Sequence, residues 1–129
     1  MPPIEQLQRP DAHEIEKLGR QGIFTTGLLL EVSETPTRRI TLADQVDAST
    51  NDVLVWRDEA LLLNLARFGP AEHELFIQAG VDGLRELLSV DLESLRALLA
   101  RAALQLKVDA PDAATAEMWW EQARTLEDE

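Results

Sequence analysis

The chain repeats itself, and that constrains its fold more than any other feature. Gln21-Gly22-Ile23 closes one charged, helix-like stretch, and Ala79-Gly80-Val81 closes another 58 positions later. At the same offset Leu7, Glu14, Glu16, Leu29 and Leu30 recur as Leu65, Glu72, Glu74, Leu87 and Leu88. Each half then ends on a tryptophan-bearing segment. Val53, Trp56, Ala60 and Leu63 correspond to Ala116, Trp119, Ala123 and Leu126, 63 positions on. Both sets have the spacing of one helix face. Small helical units used in tandem bury their apolar faces against one another. The expected architecture is therefore all-α: two pseudo-repeated helical hairpin modules, residues 1–66 and 67–129, packed as one compact domain.

Local punctuation supports helices throughout. In the first half a short apolar turn around Ile4 and Leu7 precedes a helix from about Ala12 to Gln21, with Asp11 as N-cap and Gly22 left-handed after its end. A short helix is expected near Thr26 to Val32. Thr35-Pro36 opens the next, with proline at the first helical position, where its missing amide costs nothing. Ser49 caps the tryptophan helix, and Asp52 stands where a capping-box acid belongs. In the second half Gly69-Pro70 leads into a helix ending at Gly80. Asp82 is expected to cap a short helix and Asp91 a longer one. In the longer one, Leu92, Leu95, Leu98, Leu99, Ala102 and Leu106 form one stripe. The last helix follows the break at Pro111 and spans about Ala113 to Leu126. The acids Glu127-Asp128-Glu129 oppose the helix dipole there, so fraying is expected. Strand signals are too short to count.

Composition narrows the function classes. With 45% hydrophobic residues the chain can bury a core. It has no cysteine, which excludes disulfides, thiolate metal sites and cysteine nucleophiles. Its first residues contain no basic region or apolar signal segment, and its most apolar stretch is far too short to cross a bilayer, so a cytoplasmic protein without a membrane segment is expected. The net charge is −12. Such a chain repels bare polyanions at long range, so nucleic acid and anionic membranes are disfavoured partners. The charge also serves solubility without further meaning. Arg38-Arg39 is the only adjacent basic pair, weak material for a basic patch.

Recognisable catalytic motifs are missing. Both histidines precede glutamate, at His13-Glu14 and His73-Glu74, but a zinc-protease helix needs a second histidine one turn on. Lys17 and Ile77 stand there instead, and both histidines are expected to be solvated. Acidic residues spread over every expected helix, so no carboxylate pair is singled out for acid–base work. There is no nucleophile elbow and no glycine-rich phosphate loop. No catalytic residue, cofactor or metal ligand is assigned.

Candidate binding residues are few. Trp56 and Trp119 share a face with small and apolar neighbours and are expected in the core rather than as base-stacking platforms. Trp120 points about 100° away from Trp119 on an ideal helix, so it is expected to be partly exposed and is the better candidate of the two for a partner contact, with rim packing the slightly preferred reading. The segment Leu65-Ala66-Arg67-Phe68-Gly69-Pro70 is similar to the hairpin of helix-hairpin-helix domains, where two glycines flank a hydrophobic residue and open amides hold a DNA phosphate. Here Arg67 replaces the first glycine, and Glu72 and Glu74 follow. Arg9-Pro10-Asp11 stands at the equivalent place in the first half. A structural hairpin that no longer binds DNA is the preferred reading.

A family resemblance adds to this. Trp56, Leu62, Leu65 and Gly69, then Ala79-Gly80-Val81-Asp82, Glu86-Leu87 and Leu95, and finally Pro111, Trp119 and Glu121-Gln122-Ala123 resemble the bacterial domain-of-unknown-function 4332 family. Thr35-Pro36 and Arg39 fit as well. The resemblance implies tandem helix-hairpin-helix or SAM-like helical units without implying an activity. The expected function is a non-catalytic protein-interaction or adaptor module. Arg67, Phe68, Gly69 and Trp120 are the candidate contacts with a protein partner. The alternative is a nucleic-acid-binding protein using the Arg67–Pro70 hairpin.

Overall fold

Most helices in this chain start where a side-chain oxygen takes up a free amide of the first turn. The computed structural model describes residues 2–127, with side chains to 126. After a 3-10 turn at Ile4–Gln6 come α1 (Ala12–Arg20), α2 (Thr26–Val32), α3 (Pro36–Gln45), α4 (Thr50–Leu63), α5 (Pro70–Gln78), α6 (Leu84–Leu88), α7 (Leu92–Leu106) and α8 (Ala113–Glu127). The only extended pairing among the described residues is an isolated bridge between Pro3 and Thr25. The fold is all-helical. The fraying expected at Asp128 and Glu129 lies outside the described residues.

Side-chain oxygens open most of the helices. Asp11 with Glu14 and Ser49 with Asp52 form reciprocal capping boxes on α1 and α4. Thr25, Thr35 and Asp91 accept from the third residue of α2, α3 and α7, and Asp112 accepts from the Thr115 amide at 2.7 Å. Each such bond satisfies an amide that has no partner inside its helix. One expected cap is different. Gly83, not Asp82, stands at the N-cap of α6, and no side chain accepts there. Helix α6 starts at Leu84, which places Asp82 one residue too early for capping.

The closing turns are equally regular. Gly22 and Gly80 both have φ of 80°. Past them the Ile23 amide donates to the Leu18 carbonyl at 3.0 Å, and the Val81 amide to the Phe76 carbonyl at 2.9 Å. This double-bonded closure needs a left-handed residue, which glycine adopts without penalty. Helices α3 and α7 close the same way on Asp47 and Lys107, with φ of 54° and 59°. No glycine announces either end.

The chain divides into two compact units, Met1–Asn64 and Leu65–Glu129. The division falls two residues before the expected boundary, and both backbone groups of Ala66 bond to side chains of α8. In the first unit α4 packs on α2 and α3, burying Leu18, Ile23, Leu29, Leu42, Val53, Trp56 and Leu63. In the second, α8 packs on α6 and α7, and α5 on α7. Its centre is aromatic. Phe68, Phe76 and Trp119 meet edge to face with ring centroids 4.9–5.7 Å apart, the arrangement favoured by their quadrupoles. Val53, Trp56, Ala60, Leu63, Ala116, Trp119 and Ala123 are all buried, as the helical spacing requires, and Leu126 is half-buried.

Candidate functional site: the amide-bearing turns and the groove of the second unit

In the second unit the candidate turn runs from Ala66 to Gly69. Arg67 has φ of 57°, so it occupies the left-handed region that a glycine would fill at lower cost. Phe68 is only 7% exposed and forms part of the aromatic cluster; it is core, and its ring faces no solvent-borne partner. Gly69 is the N-cap of α5, and its amide donates to Glu72 Oε1 at 2.8 Å. The Ala66 amide donates to Gln122 Oε1 at 3.0 Å, and Trp119 Nε1 donates to the Ala66 carbonyl at 2.7 Å. Two of the turn's amides, those of Ala66 and Gly69, therefore already have acceptors from within the unit.

The first unit does the same with a charge. Glu59 on α4 is 0% exposed. Its Oε1 accepts from the amides of Gln8 and Arg9 at 3.0 and 2.9 Å, and its Oε2 lies 2.9 Å from the Gln8 amide. Arg9 turns its guanidinium to Asp58 at 2.7 Å and to the Val55 carbonyl at 3.1 Å. A buried carboxylate is stable only when hydrogen-bonded or paired, and the two backbone amides help meet that need.

The remaining sequence candidates are placed elsewhere. Trp120 is half-buried, with Nε1 donating to the Val90 carbonyl at 3.0 Å. Arg124 lies 3.5 Å above its ring centroid and also donates to the Val90 carbonyl, so a cation–π contact covers one face of the indole. Arg38 and Arg39 come together with Arg57 at the C-terminal end of α2. They donate to the carbonyls of Glu31, Ser33 and Leu30, respectively, where cations complement the helix dipole. Burial lowers the Arg57 pKa, and the neighbouring Arg39 lowers it further while Glu34 opposes both. The solvated state expected for His73 is corrected: it is 2% exposed, with its ring 6.5 Å from that of Phe68. It sits three residues before the buried Phe76, on the same helix face. His13 is exposed. Among the described residues no group of three or more histidine, aspartate or glutamate side chains is placed to hold a metal.

Sequence reasoning missed two features. Glu59 and Gln122 each lie three residues after a core tryptophan and one before a buried alanine, so helical spacing alone points them inward. The other is a groove of about 370 Å³ between α5, the end of α7 and the start of α8, lined by Arg67, Glu74, Leu75, Leu106, Val108, Asp109, Pro111 and Trp119 among others. Just beyond it the Thr115 amide and side chain hold Asp112 below the usual carboxylate range, and Arg67 adds to the effect. Asp91 is lowered by its equivalent bonds to Ser94.

Short helices gathered into two compact units, each with at least one turn amide bonded by a side chain of its last helix, define an all-α protein. No helix among the described residues is long and apolar enough to cross a membrane. The chain belongs to the family described as Domain of unknown function (DUF4332), whose model matches residues 10–126. No curated protein and no solved structure matched it.

Proposed function

We propose that this is a non-catalytic protein-interaction module of the bacterial cytoplasm, built from two copies of one degenerate helix-hairpin-helix unit. The observation that carries this reading is the state of the turn amides. Gln8 and Arg9 donate to Glu59, Ala66 to Gln122 and Gly69 to Glu72. A phosphate would have to displace these acceptors, two of which are charged, against a net charge of −12. The helix bounds also favour a repeat. Ala12–Arg20 and Pro70–Gln78 stand 58 positions apart, and Thr50 and Ala113, the first residues of α4 and α8, stand 63 apart. The bonded pairs follow both offsets at once, since Gln8 and Glu59 map onto Ala66 and Gln122.

Two measurements test the reading together. Fluorescence anisotropy with labelled duplex and single-stranded DNA should give no binding tighter than the roughly 10⁻⁴–10⁻⁶ M of non-specific binders at physiological salt. Crosslinking in the native cell followed by purification of the chain should recover a protein partner at stoichiometric yield. Micromolar DNA binding that falls steeply with salt and is lost in Arg67→Glu would replace this reading with a nucleic-acid-binding one.

A further inference from the structure

We propose that the groove of the second unit binds an extended segment of a partner protein carrying an apolar side chain beside a lysine or arginine. This rests on the interaction-module reading and names the surface and the chemistry it selects. The apolar part of the groove is Leu75, Leu106, Pro111 and Val108. Val108 is 54% exposed, and Leu104, four residues earlier, is 80% exposed. A single exposed aliphatic residue means little, but here one lines a concavity. At about 370 Å³ the groove lies near the small end of the roughly 300–1,000 Å³ range of ligand pockets. It suits one or two side chains of a chain passing over it rather than a large cofactor.

Charge selects the occupant. The lining contains three carboxylates, Glu72, Glu74 and Asp109, against one guanidinium, Arg67. Glu72 is engaged by the Gly69 amide, and Arg67 makes only a minor contribution to the lowered Asp112 pKa. Glu74 and Asp109 are exposed, and they are the groups left to meet a cation at the rim. The wall that carries Val108 and Asp109 is held at both ends. Before it, Val108 donates to the Ala103 carbonyl at 3.0 Å past left-handed Lys107. After it, Asp112 caps α8. A wall so pinned loses little freedom when a segment docks, which favours binding by a small surface.

The test uses the full chain, isotope-labelled for amide NMR, titrated with two capped octapeptides in a serine background. One carries two leucines flanked by lysines, the other two leucines flanked by glutamates. The basic peptide should shift Glu74, Val108, Asp109 and Thr115, weaken as salt rises, and lose at least tenfold in affinity to a Glu74→Lys, Asp109→Lys variant. That variant should bind the acidic peptide better than the unmodified chain does. Equal binding of both peptides, shifts mapping outside the groove, or no shift at millimolar peptide would overturn the proposal. So would a single-stranded oligonucleotide shifting the same residues more strongly than the basic peptide. Val108→Asp separates the two readings: a partner crosslinked in cells and retained by this variant leaves the module standing and removes the groove. Binding of the basic peptide at the groove, with no partner recovered from cells, does the reverse.

Discussion

Replacing Glu59 should reveal how much of the first unit depends on one buried carboxylate. Leucine occupies similar space and keeps water from taking the carboxylate's place, so Glu59→Leu leaves the amides of Gln8 and Arg9 without the acceptor they have at 2.9–3.0 Å. Each unpaired amide costs about 1–3 kcal/mol, which gives about 2–6 kcal/mol for the pair. Glu59→Gln keeps an oxygen where Oε1 accepts both bonds, but its NH₂ group replaces the Oε2 facing the Gln8 amide. Charged acceptors form bonds roughly twice as strong as neutral ones, so the expected loss is about 1–3 kcal/mol and always smaller than for leucine. Gln122, which holds the Ala66 amide with a neutral oxygen, indicates that an amide side chain can do the job. Urea unfolding of the full chain measures the global loss, and hydrogen exchange at Gln8 and Arg9 reports it locally. Equal losses for the two variants, or a loss under about 1 kcal/mol for Glu59→Leu, would refute the reasoning.

Three further outcomes are expected. Trp56→Ala and Trp119→Ala should each cost about 3–5 kcal/mol, as for other large buried aromatics, and Trp120→Ala should cost less because its ring is only half-buried; unfolding curves rank them. Gly80→Ala meets no atom within 4 Å of the new Cβ, so its cost should be the left-handed backbone penalty alone, about 1–2 kcal/mol, with Gly80→Val higher; thermal unfolding compares the two. The folded pKa of Asp112 lies below its ordinary value, so its contribution is complete above about pH 4 and is lost as pH falls through the folded value. Asp112→Asn, which cannot titrate, should make the acid limb of the stability curve shallower, and an unchanged limb would assign the acid sensitivity elsewhere.

Much of the fold is readable along the chain, and little of the candidate site is. The aliphatic and aromatic spacing of α4 and α8 places Trp56 and Trp119 in the core correctly. The same spacing also points Glu59, Gln122 and His73 inward, but residue polarity argues the other way, and for Glu59 and Gln122 polarity is the wrong guide because backbone amides wait inside. Phe68 reads as a hairpin tip open to a partner until Phe76 and Trp119 are seen to enclose it. Trp120 reads as a partly exposed rim residue, and it is half-buried, with Arg124 lying on its ring.

The sequence alone determines most of the helix starts and two of the helix ends. Asp11, Thr25, Thr35, Ser49 and Asp91 cap residues three positions ahead, and Gly22 and Gly80 close helices through the carbonyls behind them. These interactions span one turn, so their energies are written into neighbouring residues. Asp47 and Lys107 already escape that reading, because a non-glycine residue in a left-handed turn gives no local signal of its own. What only the tertiary structure decides is who answers the amides of the two turns. Glu59 lies 50 and 51 positions from the amides it holds, and Gln122 lies 56 from Ala66. The groove likewise exists because α5, α7 and α8 converge. No local propensity encodes such pairings, since they are set by which helix faces pack together, and burial then makes an unanswered amide too costly to leave.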